Sequence, residues 1–322
     1  MARKLEERLD QIHAIAADPS AAGAQAALRD ALRAKTGLLV AAAAAVVAEA
    51  ELPELADELP GAFGRLLERP VERDPQCRGK VAIARALHRL ERWEEDVFAR
   101  GLRHVQREPV FGGSEDTAAE LRAVCGIAYA QLNRPEALAV LAELLADPER
   151  AARAGAAQGL GDSGRPDATA LLRYKAVIGD DEPAVMSACF GSLLALETDA
   201  VVPFVARFLD GDAERAEVAA LALGESRLVA AFPLLRAWCD DSLPALRAQV
   251  GYLALALLRL DAATDHLLAI VSGGDADDAV AAARALATFR DDPALASRSI
   301  AAAAANPDRS VAADVRAAFG PR

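Results

Sequence analysis

Several side chains suited to recognition flank a break in an otherwise regular chain. Trp93, Arg100, Arg103 and His104 precede Gln106-Arg107-Glu108-Pro109-Val110-Phe111-Gly112-Gly113-Ser114-Glu115. A proline and two glycines in so short a stretch predict an irregular loop, with Phe111 inside it. Further on, Arg173, Tyr174, Arg207 and Arg236 recur at positions that read as helical, with Phe204 and Trp238 among them. Arg, Tyr and Trp are enriched at binding hot spots, where large contact area and polar ends combine. The chemistry on offer is partner recognition. Phe204 and Trp238 read as core, because an alanine-rich interior has few other large residues to fill gaps.

Residues capable of catalysis are not arranged for it. The sequence has no GxGxxG, Walker loop, HExxH or GxSxG. His13, His88, His104 and His266 are scattered, and His88 closes a helix, where a capping or packed role fits. His88, His104 and Cys77 fall in one repeat, at a spacing that matches no metal site. Gly112-Gly113-Ser114 ahead of a helix could offer N–H groups to an anion, but Glu115 and Asp116 already stand there and read as the cap. Cys77, Cys125, Cys189 and Cys239 lie far apart without a CxxC, and Cys125 and Cys189 read as small buried hydrophobes. Carboxylates are plentiful, yet most open helices, where capping accounts for them. No enzymatic activity, metal or cofactor is expected.

Charge narrows the partners. The 322 residues carry a formal net charge of −12, which disfavours nucleic acid. Residues 111–322 hold 19 Lys+Arg against 30 Asp+Glu, and residues 1–110 hold 17 against 18. Within 77–107 eight basic residues (Arg78, Lys80, Arg85, Arg89, Arg92, Arg100, Arg103, Arg107) face four acidic ones. These read first as solvated helix faces. As a surface, that stretch would suit an acidic segment, and the acidic remainder a basic one. The N-terminal MARKLEERLDQIHAIAA is charged and amphipathic, unlike a secretory signal. The apolar run from Gly37 to Ala48 is too short and alanine-rich to span a bilayer. A cytoplasmic protein without membrane contact is expected, and arginine over lysine with abundant alanine suggests a bacterial chain of high GC content.

A fifteen-residue pattern must position these groups. It is clearest from Asp147 to Gly161, DPERAARAGAAQGLG, and copies begin at Asp74, Asp116, Asp180, Asp210, Asp241, Gly273 and Asn306. From Asp116 onward the spacings are 31, 33, 30, 31, 32 and 33 residues, a repeat-protein period. Asp74 to Asp116 is 42, and the excess is the 106–115 stretch. Insertions in stacked repeats map to one face, often the binding face.

Each unit reads as two helices. The leading Asp predicts an N-cap, with Pro148 and Pro75 at the first helical position. Apolar residues follow at helical spacing, as in Ala156, Ala157 and Leu160 or Ala219, Ala220 and Leu223. Second helices are expected over Asp167–Ile178, Ala200–Leu209, Leu228–Cys239, Ala263–Val271 and Pro293–Ala304. One pair cannot bury its apolar face alone, and stacking supplies the partner. A composition 53% hydrophobic but only 4% aromatic suits short, closely stacked helices.

The pattern resembles the HEAT repeat, especially the short form of the phycobilisome-lyase HEAT-like repeats. Leu144-Leu145-Ala146-Asp147, Arg153, Ala156-Ala157 and Gly159-Leu160-Gly161 carry the likeness, as do Phe208-Leu209-Asp210, Ala219-Ala220 and Ala222-Leu223-Gly224. Arg122, Arg153 and Arg247 hold the motif arginine and Lys80 substitutes for it, while Met186, Ala216, Ala279 and Ala312 depart from it. The resemblance implies an Asp–Arg ladder between neighbouring repeats in the first half of the chain. It covers about 74–320 well and 36–70 weakly.

The resemblance implies an all-α fold: a right-handed α-solenoid of about eight to nine HEAT-like helical hairpins. Residues 1–35 are expected to form an N-terminal capping helical hairpin. Residues 36–322 would be the solenoid, with the inserted loop near 106–115. Second helices would line a concave groove. The implied function is a non-catalytic scaffold or adaptor that binds another protein or peptide. The alternatives are a tetrapyrrole lyase or chaperone-like subunit, implied by the lyase likeness, and a nucleic-acid-binding HEAT-like protein, which the charge disfavours.

Overall fold

The computed structural model describes residues 2–320, apart from the side chains at 2, 197 and 198. The chain is an all-α helical repeat that divides into two units, 1–171 and 172–322. The first unit begins with α1 (Ala2–Ala17) and α2 (Ala24–Leu32), both packed on α3 (Gly37–Glu49). There follow α4 (Leu59–Leu67), the single turn α5 (Pro70–Arg73), α6 (Arg78–Arg89), α7 (Glu95–Leu102), α8 (Ala119–Gln131), α9 (Ala137–Leu144) and α10 (Arg150–Asp162). The first helix of each repeat stacks on the next, α3 on α6, α6 on α8 and α8 on α10. Val40, Val47, Phe63, Ile83, Leu87, Phe98, Leu121 and Leu160 fill the space between layers.

Small residues set the distance between layers. A Cβ at Gly155 of α10 would stand 2.5 Å from the Cα and Cβ of Ala123 on α8. Backbone meets backbone there, so no side chain can swing away. We expect Gly155→Ala to destabilise the first unit by about 1–3 kcal/mol through overpacking. Alanine's helix propensity, worth roughly 1 kcal/mol over glycine, works in the opposite direction. A urea midpoint that rises on this substitution would show that the α8–α10 contact is looser than described.

The inserted stretch is not irregular. Arg107–Val110 (β1) and Gly113–Asp116 (β2) pair antiparallel in the register Arg107↔Asp116 to Val110↔Gly113. Gly112 turns the ribbon at φ +87°, a conformation that glycine adopts without strain. Neither strand alternates apolar with polar residues, and Pro109 cannot donate to a ladder. Side chains at the base hold the ribbon, as described below.

The second unit opens within α11 (Ala168–Ile178) and continues with α12 (Pro183–Glu197) and α13 (Val202–Ala206). It goes on through α14 (Ala213–Ser226), α15 (Ala231–Asp241), α16 (Pro244–Leu246), α17 (Tyr252–Leu257), α18 (Asp261–Gly273), α19 (Ala276–Leu286), α20 (Pro293–Ala305) and α21 (Arg309–Ala318). Its stack runs α12, α14, α17, α19, α21. The second helix expected over Ala200–Leu209 tightens into a 3₁₀ turn from Arg207 to Asp210. A π-helical turn over Arg247–Gly251 joins α16 to α17.

Asp74 is the N-cap residue of a short 3₁₀ turn, but at Asp147 and Asp180 the leading Asp stands before the cap. Asp147 and Asp180 accept the N–H two residues on, from Glu149 at 2.8 Å and Glu182 at 3.0 Å. These are Asx turns that lead into the helix. The caps sit later: Asp212 accepts from Arg215 N, Asp275 from Asp278 N and Asp308 from Ser310 N. Pro148 accordingly lies in the turn, since α10 begins at Arg150, whereas Pro75 opens a short 3₁₀ turn. Neither the turn nor the cap needs more than an Asp, so the sequence pattern alone could not tell them apart.

Candidate interaction surfaces

The ribbon base is a buried polar knot. Asp74, fully buried, accepts from Gly79 N at 2.7 Å, Lys80 N at 3.0 Å and Lys80 Nζ at 2.9 Å. Gln106 donates its side-chain amide to the Asp74 carbonyl at 2.8 Å and to Glu108 Oε1 at 2.7 Å. Glu108 Oε1 also accepts from Gln76 N at 2.6 Å and Thr117 Oγ1 at 2.7 Å. Burial pushes the Glu108 carboxyl up, but these donors outweigh it and leave it below the usual carboxylate range. His104 is half-buried beside Gln106 Oε1 at 3.2 Å, and burial holds its imidazole below the ordinary value.

Base and tip of the ribbon therefore play different parts. Glu108→Ala strips three donors of their acceptor and should cost about 1–3 kcal/mol. Phe111 is fully exposed at the turn. Phe111→Ala should stay within about 0.5 kcal/mol of the parent. Urea unfolding of the two variants side by side checks the contrast.

The structure disperses the basic stretch 77–107. Lys80 is interior, Arg92 pairs with Asp57, and Arg100 pairs with Asp96 at 3.1 Å. Arg103 donates to the Ala99 carbonyl at 3.2 Å, and Arg107 lies exposed on β1. Trp93 is 43% exposed, and its ring centroid lies 6.1 Å from that of His88 in an edge-on arrangement. Arg78, Arg85 and Arg89 remain on one face of α6, a grouping that the sequence reading did not single out.

In the second unit the arginines and aromatics meet. Arg173 Cζ lies 4.5 Å from the centroid of Phe204, and Arg207 Cζ lies 5.8 Å from the same ring. Phe204 packs edge-on against Phe208 at 5.6 Å, and Phe208 tilts against buried Phe190 at 4.9 Å. Such cation–π contacts hold guanidinium groups against a ring face. Tyr174, Val177 and Ile178 on α11 are exposed, Tyr174 by 67%. Arg236 reaches Asp240 at 3.8 Å. Phe204 and Trp238, read as core, are half-buried, and Trp238 donates to the Leu209 carbonyl at 3.1 Å.

The cross-repeat ladder is present and runs further than the resemblance implied. Arg122 bonds Asp116 of its own repeat and both oxygens of Asp147 in the next. Arg153 donates to the carbonyls of Asp147 and Pro148, each at 2.9 Å. In the second unit Arg247 reaches Asp278 at 2.7 Å, and Asn306 reaches the carbonyls of Val271 and Gly274.

Glycines 112 and 113 lie in the ribbon, away from the start of α8, so they form no anion cradle there. All four cysteines are buried and free, and burial pushes the Cys77, Cys189 and Cys239 thiols up to about 12. Among the described residues, no group of three or more His, Cys, Asp or Glu is placed to hold a metal ion, and no helix is long and apolar enough to cross a membrane.

Residues 113–174 match the HEAT repeats family. The match runs from β2 through α8, α9 and α10 into α11, so over this stretch the chain is similar to HEAT repeats. It does not single out the phycobilisome-lyase form. No curated protein matches the chain.

Proposed function

We propose that the chain is a non-catalytic, cytoplasmic protein-interaction scaffold. In this reading residues 36–322 form a right-handed α-solenoid of about eight to nine HEAT-like hairpins behind the 1–35 cap. The second helices present a concave surface to another protein or peptide. HEAT repeats commonly serve in this way. The observation that carries the reading is the exposed strip on α11, where Tyr174, Val177 and Ile178 face solvent in the same unit as the Arg173–Phe204–Arg207 stack. An aromatic beside arginines held by a ring is the composition of a binding hot spot.

The test is affinity capture with the intact chain and a Tyr174→Asp/Arg207→Glu variant, followed by reconstitution with the purified partner. A discrete protein should bind the intact chain and lose at least about 30-fold in affinity to the variant, as loss of a hot spot of 2 kcal/mol or more requires. Equal binding by the variant would remove the second-helix surface from the reading. Nucleic acid or a pigment as the main bound species would replace the reading altogether.

A further inference from the structure

We propose that a groove in the first unit, separate from the α11 strip, is a docking site for an acidic helix of a partner protein. The groove lies over α3 and α6, has a volume of about 400 Å³, and is also lined by Glu120 of α8. Its floor is small and apolar, formed by Ala45 and Ala48 of α3 with Val81 and Ala82 of α6. Small residues let a further helix approach closely, as they do between the stacked layers of this chain.

Three guanidinium groups rise from that floor. Arg78, Arg85 and Arg89 are all exposed. Among the described residues Arg78 bonds only the neutral Gln76 Oε1, and Arg89 pairs with no carboxylate. Arg85 pairs with Glu120 across the groove, and Glu49 is the other acid in the lining. Arginine therefore outnumbers acid here, in a chain whose net charge is −12. Elsewhere in the basic stretch, intramolecular partners take up Lys80, Arg92 and Arg100.

Spacing selects a helix as the occupant. At 1.5 Å per residue the arginines stand about 10 Å and about 6 Å apart along α6. Carboxylates seven and four residues apart on a helix aligned with α6 repeat that spacing. Same-face residues of a strand recur at multiples of about 6.7 Å and miss the longer interval by roughly 3 Å. The end of the groove is also fixed. Gln76 and Cys77 hold consecutive left-handed conformations, φ +60° and +58°, and the Gln76 N–H is bonded by Glu108 of the ribbon. Non-glycine residues held this way cost energy, and hydrogen bonds from the ribbon base hold the turn that precedes Arg78.

The test uses the full chain and a fluorescent alanine-rich peptide with glutamates at i, i+4, i+7 and i+11. A peptide of the same composition with scrambled order is the control. Anisotropy should show the ordered peptide binding at least about tenfold tighter than the scrambled one, and Arg78→Ala/Arg89→Ala should abolish that preference. Arg103→Ala/Arg107→Ala should leave it intact, and circular dichroism confirms that both variants fold. Equal binding of the two peptides, or a preference that survives Arg78→Ala/Arg89→Ala, overturns the proposal. So does tighter binding of duplex DNA through the same arginines. Tyr174→Asp/Arg207→Glu should bind the peptide normally, so failure here and failure of the second-helix surface are read from different variants.

Discussion

Asp74→Ala is expected to destabilise the first unit by about 3–5 kcal/mol, because it leaves the Lys80 ammonium buried without a counter-charge. The Lys80 side chain is 0% exposed and that of Asp74 is 1% exposed. Asp74 also accepts the N–H groups of Gly79 and Lys80, so the first turn of α6 loses its acceptor in the same step. Lys80→Met should cost less, since the Asp74 carboxylate keeps those two N–H donors. Combining the changes removes both charges from the interior, and an apolar side chain of similar length fills the space. The double variant should then recover at least about 2 kcal/mol relative to the sum of the singles. Urea unfolding of all four proteins gives the coupling. Strict additivity would mean that the pair does not act as a unit.

That pair also marks the limit of what the sequence discloses. The repeat period and the apolar spacing were legible, because stacking demands the same buried positions in every unit. Lys80 was legible as a stand-in for the motif arginine, but its full burial was not. The Asp74 segment that pairs with it is held by Gln106 and Glu108, which arrive from an insertion about thirty residues on. The insertion itself was misread. Its proline and glycines signal a break, and nothing in Arg-Glu-Pro-Val or Gly-Ser-Glu-Asp signals strand. Tertiary hydrogen bonds to Asp74, Gln76 and Thr117 make it a ribbon.

The candidate site divides in the same way. Trp93, Arg100, Arg103, His104 and Phe111 are close in sequence, yet each is tied to its own neighbour or stands alone. Arg78, Arg85 and Arg89 share a face for a reason visible in helical spacing, but only the position of α3 shows that the face is a groove. In the second unit Arg173 and Arg207 meet over Phe204 across 34 residues, a pairing that needs the hairpin to be folded. Toward the C-terminus the motif arginine is missing from several repeats, and where Ala312 replaces it Asn306 still bridges to the preceding layer. Any donor long enough to reach the next turn can make that bridge, so the loss of a motif residue did not mean the loss of a ladder rung.

The rung at Arg122 should be the most sensitive to replacement and to acid together. Its guanidinium is 3% exposed and donates to Asp116 Oδ2 and the His104 carbonyl at 2.8 Å, and to the two oxygens of Asp147 at 2.8 and 2.9 Å. A planar fork makes all these bonds at once, and a lysine ammonium cannot. Arg122→Ala should cost about 3–5 kcal/mol at neutral pH by leaving the buried Asp116 and half-buried Asp147 carboxylates without their cation, and Arg122→Lys should recover less than half of that. The acid dependence has a fixed sign. Burial pushes the Asp116 carboxyl up, but the N–H groups of Gln106 and Ala118 and the Arg122 guanidinium bring it below the usual range. A depressed folded-state value means that its contribution is complete above the unfolded value near 4 and is lost as pH falls through the lower folded value. Without Arg122 that depression shrinks, so the variant has less to lose in acid. The gap between parent and Arg122→Ala should therefore narrow as pH falls from about 4 toward 2, when Asp116 takes up its proton and no longer needs a cation. Urea midpoints for both proteins across that range decide the matter, and a gap that stays constant would show that Arg122 acts by packing rather than by charge.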